Sequence, residues 1–202
     1  MKRVRTFAVT ALSAAVIAGG LSLAAATSAS ADPISGAVDQ PSANASDAGQ
    51  GPGAGAAVGI DDPDELSSEQ IDNARTIIGV GKGADLSEKA QTIAVMTALQ
   101  ESSLQNLDGG DRDSVGAFQQ RPSMNWGSAE QVEDPVFASK SFYGVNPDSP
   151  NPGLTQIDNW ETIDPGQAAQ DVQSSAYPDE YAKWEPLAAQ LVDDNQDVDD
   201  ID

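Results

Sequence analysis

Histidine and cysteine are both missing from the 202 residues, only ten residues are basic, and aromatics make up 5%. Without histidine, Ser-His-Asp and Cys-His nucleophilic devices and His-ligated zinc hydrolase sites are excluded. Hydrolytic chemistry is left to carboxylates, a lone hydroxyl or lysine, or an oxygen-ligated metal. Without cysteine no disulfide contributes, so a hydrophobic core alone must hold the fold. The ten Lys and Arg face 32 Asp and Glu, a formal charge of −22. Nucleic acid is therefore not expected as a partner, nor is an anionic membrane or teichoic-acid surface. The acidity itself reads as solvation or adaptation to a salty exterior.

What is present at the amino terminus is an export pattern. Lys2, Arg3 and Arg5 precede an apolar stretch from Phe7 to Ala26, and Ala29-Ser30-Ala31 supplies small residues for cleavage before Asp32. Residues 1–31 are therefore expected to be a signal peptide, and the mature protein to be secreted, extracellular or cell-wall associated. The predicted cut removes three basic and no acidic residues, moving the formal charge to −25. A retained anchor is the competing reading, since the stretch approaches the roughly 20 residues needed to span a bilayer. The Ala, Gly and Ser content and the cleavage motif favour removal, and no other segment is suited to crossing a membrane.

From Asp32 to Gly59 the chain is small and polar, with Ile34 as the one large aliphatic before Val38, and reads as a disordered linker over 32–60. Six aspartates in 193–202 predict a solvated, disordered tail without the ligand spacing of a calcium loop. A single ordered domain is expected between them, 61–192, mainly α with at most a small β element. Ser67 and Gln70 form a capping box before a helical run to Ile78. Gly79-Val80-Gly81-Lys82-Gly83 is expected to break that helix as a turn, since its spacing departs from that of a phosphate loop. Asp85 and Glu88 give a further capping signal. From Leu86 to Glu101 apolar residues occur nearly all round, the mark of a central buried helix. Val115 to Phe118 could form a strand, Gly127 to Val132 a capped short helix stopped by Pro135, and Pro135 to Tyr143 another element. Residues 146–153 must be loop. A helix is expected from Pro165 through Gln173, interrupted at Tyr177-Pro178, with a second stretch from Asp179 through Leu191.

Glu101 breaks two local rules. It lies within about 40° of Ala90, Ala94 and Thr97 on the helical wheel, so its carboxylate extends an inward face. It also sits at the negative end of the helix dipole. Both effects raise a carboxyl pKa, which suits a general acid that protonates a glycosidic oxygen. The plainer alternative is a surface glutamate on a frayed last turn.

Glu101-Ser102 within Ala98 to Leu107, followed by Gly116-Ala117-Phe118-Gln119-Gln120-Arg121, resembles the first two motifs of lysozyme-like lytic transglycosylases. The longer pattern is similar to secreted actinobacterial lysozyme-like domains. It takes in Gly110 to Ser114, Asn125-Trp126-Gly127, Asp134-Pro135, Ala168 to Gln173, Tyr177-Pro178, Tyr181 and Trp184, and covers about Gln70 to Leu191. The resemblance implies a lysozyme-like fold of two lobes with a glycan cleft and Glu101 as the catalytic acid and base. It further implies Ser102 and Gln119 orienting substrate or Glu101, Tyr177 or Tyr181 as a cleft tyrosine, and peptidoglycan strands as the partner. Neither metal nor cofactor is implied, and a monomer is expected. The sequence departs from the family's usual Gly-Leu-Met-Gln at Gly116 to Gln119.

Asp111 and Asp113 are the nearby candidates for a second carboxylate, activating water or acting as nucleophile. Turn formation and pairing with Arg112 is the expected structural role of both. Of the three tryptophans, Trp126 in its Gly-flanked loop is the best candidate for stacking on sugar, although core packing is commoner for each. The expected function is cleavage of β-1,4 glycosidic bonds in peptidoglycan, as a lytic transglycosylase or a lysozyme. The alternative is a lysozyme-like module that grips glycan or a protein without turnover.

Overall fold

A computed structural model describes residues 60–175 and 178–202. The signal peptide, its cut before Asp32, the linker to Gly59 and Tyr177 lie outside the described residues. The architecture is mainly helical: α1 (Ser68–Gly83), α2 (Glu88–Ser102), α3 (Ala129–Glu133), α4 (Pro135–Tyr143), α5 (Pro165–Gln173) and α6 (Glu185–Asp194), with short 3-10 turns between. No helix among the described residues is long and apolar enough to cross a membrane.

Local chemistry accounts for most helix starts. Ser67 and Gln70 close a reciprocal capping box on α1, as Ser128 and Gln131 do on α3. Asp134 and Asp164 cap α4 and α5, each followed by a proline at the first helical position. α6 has no side-chain cap: the stretch expected to begin at Asp179 is two 3-10 turns, Pro178–Glu180 and Ala182–Trp184, and the helix starts at Glu185. At α2 the cap is not the expected one. Asp85, expected to cap it, lies in the left-handed region (φ 54), and Ser87 accepts from the Ala90 N–H instead.

α2 runs through the middle, packed against α1, α4, α5 and α6. Every residue from Ala90 to Ser102 except Thr92 is buried. Each large aliphatic among them contributes about 1.5–3 kcal/mol by leaving water. The polar groups that α2 carries into this core have partners: Thr97 bonds to the Ile93 carbonyl at 2.7 Å, and Gln100 accepts from the Trp184 indole at 2.7 Å.

Three further expectations fail. The strand-like run from Val115 to Phe118 is reduced to one antiparallel bridge between Val115 and Gln120, because positive φ at Gly116 and Gln119 curls it into a turn. The glycine run does not break α1 but lies inside it. A glycine there costs about 1 kcal/mol against alanine, and close packing offsets this. A Cβ on Gly83 would stand 2.3 Å from the Ile201 carbonyl oxygen, and one on Gly81 2.9 Å from the Tyr143 hydroxyl.

The third failure concerns the acidic tail, which is ordered and folds back along α1. Arg75 bonds to Asn195 at 2.8 Å and Asp197 at 3.0 Å, Lys82 donates to the carbonyls of Gln196 and Val198, and the Ile201 N–H reaches the Gly79 carbonyl at 2.9 Å. Val198 joins the core and Ile201 packs against it. Two aliphatic anchors and two helix cations thus outweigh the repulsion among the aspartates.

Candidate active site

Directly after α2 the chain passes through two consecutive left-handed residues, Ser103 (φ 55) and Leu104 (φ 61). Neither is glycine, so each costs about 1–2 kcal/mol. The surroundings enforce the bend. The Ser103 and Leu104 N–H groups return to the carbonyls of Leu99 and Ala98 at 3.0 and 3.1 Å, closing the helix in a Schellman pattern. Their own carbonyls accept from α1, Ser103 from Gln70 at 2.6 Å and Leu104 from Asn73 at 2.8 Å. The end of α2 is thereby fixed where Glu101 projects.

Glu101 is 4% exposed. Its Oε1 accepts from the Tyr181 hydroxyl at 2.6 Å, and the Gln173 side chain, to a lesser degree, also favours its charged form. Burial is the largest influence on the carboxyl and raises its pKa; these two neutral side chains pull it back, and the balance stands at about 7. No described cation contributes. Tyr181 is itself fully buried, and burial and then the neighbouring Glu101 charge push its ionisation well up.

The turn after Gly116 is held by its carbonyls. Three in succession accept from side chains: Gly116 from Gln119 Nε2 at 3.1 Å, Ala117 from the Ser102 hydroxyl at 2.8 Å, and Phe118 from Gln173 Nε2 at 2.8 Å. This corrects the roles expected of Ser102 and Gln119. Ser102 is fully buried, with its hydroxyl between the Ala98 and Ala117 carbonyls. Gln119 is turned by its positive φ (47) onto its own turn, with Oε1 accepting from Ser114 at 3.0 Å. Neither bonds to Glu101; they shape the turn beside it.

The two aspartates differ from the expectation and from each other. Asp111 stands exposed with Arg112 at 3.8 Å. Asp113 pairs with Arg121, not Arg112. It accepts from the Ser123 N–H at 2.7 Å, the Ser123 hydroxyl at 2.9 Å and Arg121 Nε at 2.8 Å, and the Ser123 backbone bond leads the influences that hold its carboxyl at about 2. So low a pKa makes it a poor base for activating water. Trp126 is half-buried and packs against the core. Among the described residues no three acidic side chains gather as a metal site would require.

Of the residues singled out by sequence, the structure brings Glu101 and Tyr181 into contact. The residue that sequence reasoning passed over is Gln173, which lies inside the quoted Ala168 to Gln173 stretch but carries no chemical signal of its own. Compared with known proteins, the chain matches no family model and no curated protein.

Proposed function

We propose that the protein is a secreted glycosidase that cleaves β-1,4 bonds of peptidoglycan, with a lysozyme-like two-lobed domain and Glu101 as its general acid and base. The single observation that carries this reading is the state of Glu101. It is a carboxyl at a helix end, buried, donor-bonded to a tyrosine, with no cation among the described residues beside it, and poised at about 7. A group so poised is protonated often enough to give a proton and ionised often enough to take one back.

In this mechanism Oε1 is occupied by the Tyr181 hydroxyl, and Oε2 carries the proton. Glu101 protonates the glycosidic oxygen as the bond to the anomeric carbon breaks. The ionised Glu101 then removes a proton from the attacking group. If that group is water the product has a reducing end and the enzyme is a lysozyme; if it is the sugar's own 6-hydroxyl the product is anhydro-muramyl and the enzyme is a lytic transglycosylase. With Asp113 locked to Arg121 and Ser123, the substrate's own acetamido group stabilises the oxocarbenium ion in place of a second carboxylate.

A second reading, a lysozyme-like module that grips glycan or a protein without turnover, is favoured by how little of Glu101 and Tyr181 reaches the surface. Incubation of purified protein with peptidoglycan and mass spectrometry of the soluble muropeptides separates the two. Anhydro-muramyl or reducing-end products from wild type, absent with Glu101→Gln, support the enzyme. Release equal to buffer, with glycan still bound, supports the module.

A further inference from the structure

Two adjacent side chains at the end of α2 are held from one short turn. Gln100 accepts from the Trp184 indole N–H at 2.7 Å, Glu101 accepts from the Tyr181 hydroxyl at 2.6 Å, and all four side chains are buried. Tyr181 immediately precedes the 3-10 turn Ala182–Trp184 and Trp184 ends it, a spacing at which side chains lie one above the other. The Trp184 N–H returns to the Tyr181 carbonyl at 3.0 Å, tying the two rings together through the backbone. Trp184 also stands where α6 begins, and no side chain caps that helix. The placing of the turn against α2 therefore falls to the indole. Its N–H is a donor only, and the Gln100 oxygen is a buried acceptor fixed by α2, so either group left alone would be a buried polar group without its partner.

We propose that Trp184 is a positioning residue of the site: by donating to Gln100 it holds the turn that brings the Tyr181 hydroxyl onto the Glu101 carboxylate. The inference rests on the glycosidase reading for its meaning in catalysis, but the linkage itself does not depend on turnover. Ionised Glu101 gains more from the tyrosine donor than protonated Glu101 does. A turn released from Gln100 weakens that bond, and the Glu101 titration moves upward. Among the described residues Tyr181 is the titratable group that bonds to Glu101, and its own ionisation lies far above the range concerned. The charged side chains flanking Tyr181, Glu180 and Lys183, are exposed and pair with each other.

The test is a carbon-detected NMR titration of the Glu101 carboxyl in the full mature chain, for wild type, Trp184→Phe, Gln100→Met, Tyr181→Phe and the double variant Trp184→Phe/Tyr181→Phe. Wild type should titrate near 7. Trp184→Phe removes the donor and Gln100→Met the acceptor, each leaving apolar bulk in place. Glu101 then stays buried, and its midpoint should rise by roughly half a pH unit in either variant. Tyr181→Phe should raise it at least as far, and Trp184→Phe should add nothing further in that background, because the indole acts through the tyrosine. Thermal melting identifies the folded variants, and the two single changes at the indole bond approach it from opposite sides. A midpoint unmoved or lowered in folded Trp184→Phe or Gln100→Met overturns the proposal, as does a Trp184 effect that persists in full without the Tyr181 hydroxyl. A tryptophan that merely packs would lower the melting temperature and leave the midpoint in place. In wild type the Trp184 indole N–H should exchange slowly with solvent; exchange at the rate of an exposed indole overturns the proposal without any variant. Failure of the wild-type protein to release muropeptides would instead overturn the glycosidase reading, a different measurement with a different subject.

Discussion

Glu101 and Asp113 lie twelve positions apart, and each carboxyl collects hydrogen bonds, yet one stands at about 7 and the other at about 2. Glu101 is buried and accepts from the Tyr181 hydroxyl, so desolvation dominates; Asp113 is half-buried, and three donors led by the Ser123 N–H and joined by Arg121 outweigh the small cost of its desolvation. Asp197 repeats the second pattern, with Arg75 lowering its pKa. The chain thus handles its acids in two ways. Asp113 and Asp197 stand toward solvent against an arginine, and Glu101 is placed where ionisation costs free energy. In the proposed reading that cost readies Glu101 to act as the acid.

The largest expected effect is on turnover. Glu101→Gln should reduce muropeptide release by about 10²–10⁴-fold, whereas Asp113→Asn, corrected for folded protein, should leave the order of magnitude of release unchanged. Equal losses in the two variants would erase the distinction.

Next comes stability against pH. Between its ordinary value of 4.5 and about 7, Glu101 is protonated when folded and ionised when unfolded. Wild type therefore loses stability as pH rises through that window, by about 3 kcal/mol in all. Glu101→Gln lacks this penalty, so its melting temperature relative to wild type should climb from pH 4.5 to 7 and level off above. A constant difference would place Glu101 in water.

Smaller again is Gly83→Ala. Helix propensity alone would favour alanine by about 1 kcal/mol, but the new Cβ meets the Ile201 backbone, and such overpacking costs about 1–3 kcal/mol. A net loss of stability with exposure of the tail to protease is expected; a gain would mean the tail does not hold α1. The smallest effect is that of Asp113→Asn on melting. A depressed carboxyl stabilises the fold above its unfolded value of 3.8 and ceases to as pH falls through about 2. The deficit should be present at pH 7 and vanish in acid.

The helices were legible because their signals are local: capping pairs such as Ser67 with Gln70, prolines at Pro135 and Pro165, and an apolar α2. Glu101 was legible because it violated those same local rules. What escaped depends on partners distant in the chain. The glycines of α1 read as a turn because nothing nearby shows Ile201 coming to rest on them, and the tail read as solvated because its aspartates outnumber Val198 and Ile201. Ser102 and Gln119 were drawn toward substrate by the motif, but the left-handed backbone at Gln119 and the approach of the Ala117 carbonyl give them to the turn. Gln173 carried no signal, since its bond to the Phe118 carbonyl joins residues 55 positions apart.

The most direct test of the central claim is the rate of muropeptide release from purified peptidoglycan as a function of pH, for wild type and Glu101→Gln. A general acid must be protonated to act, so wild-type release should fall as pH passes about 7, with the variant at background throughout. Release that is the same for both proteins, or that keeps rising well above pH 7, would contradict Glu101 as the acid.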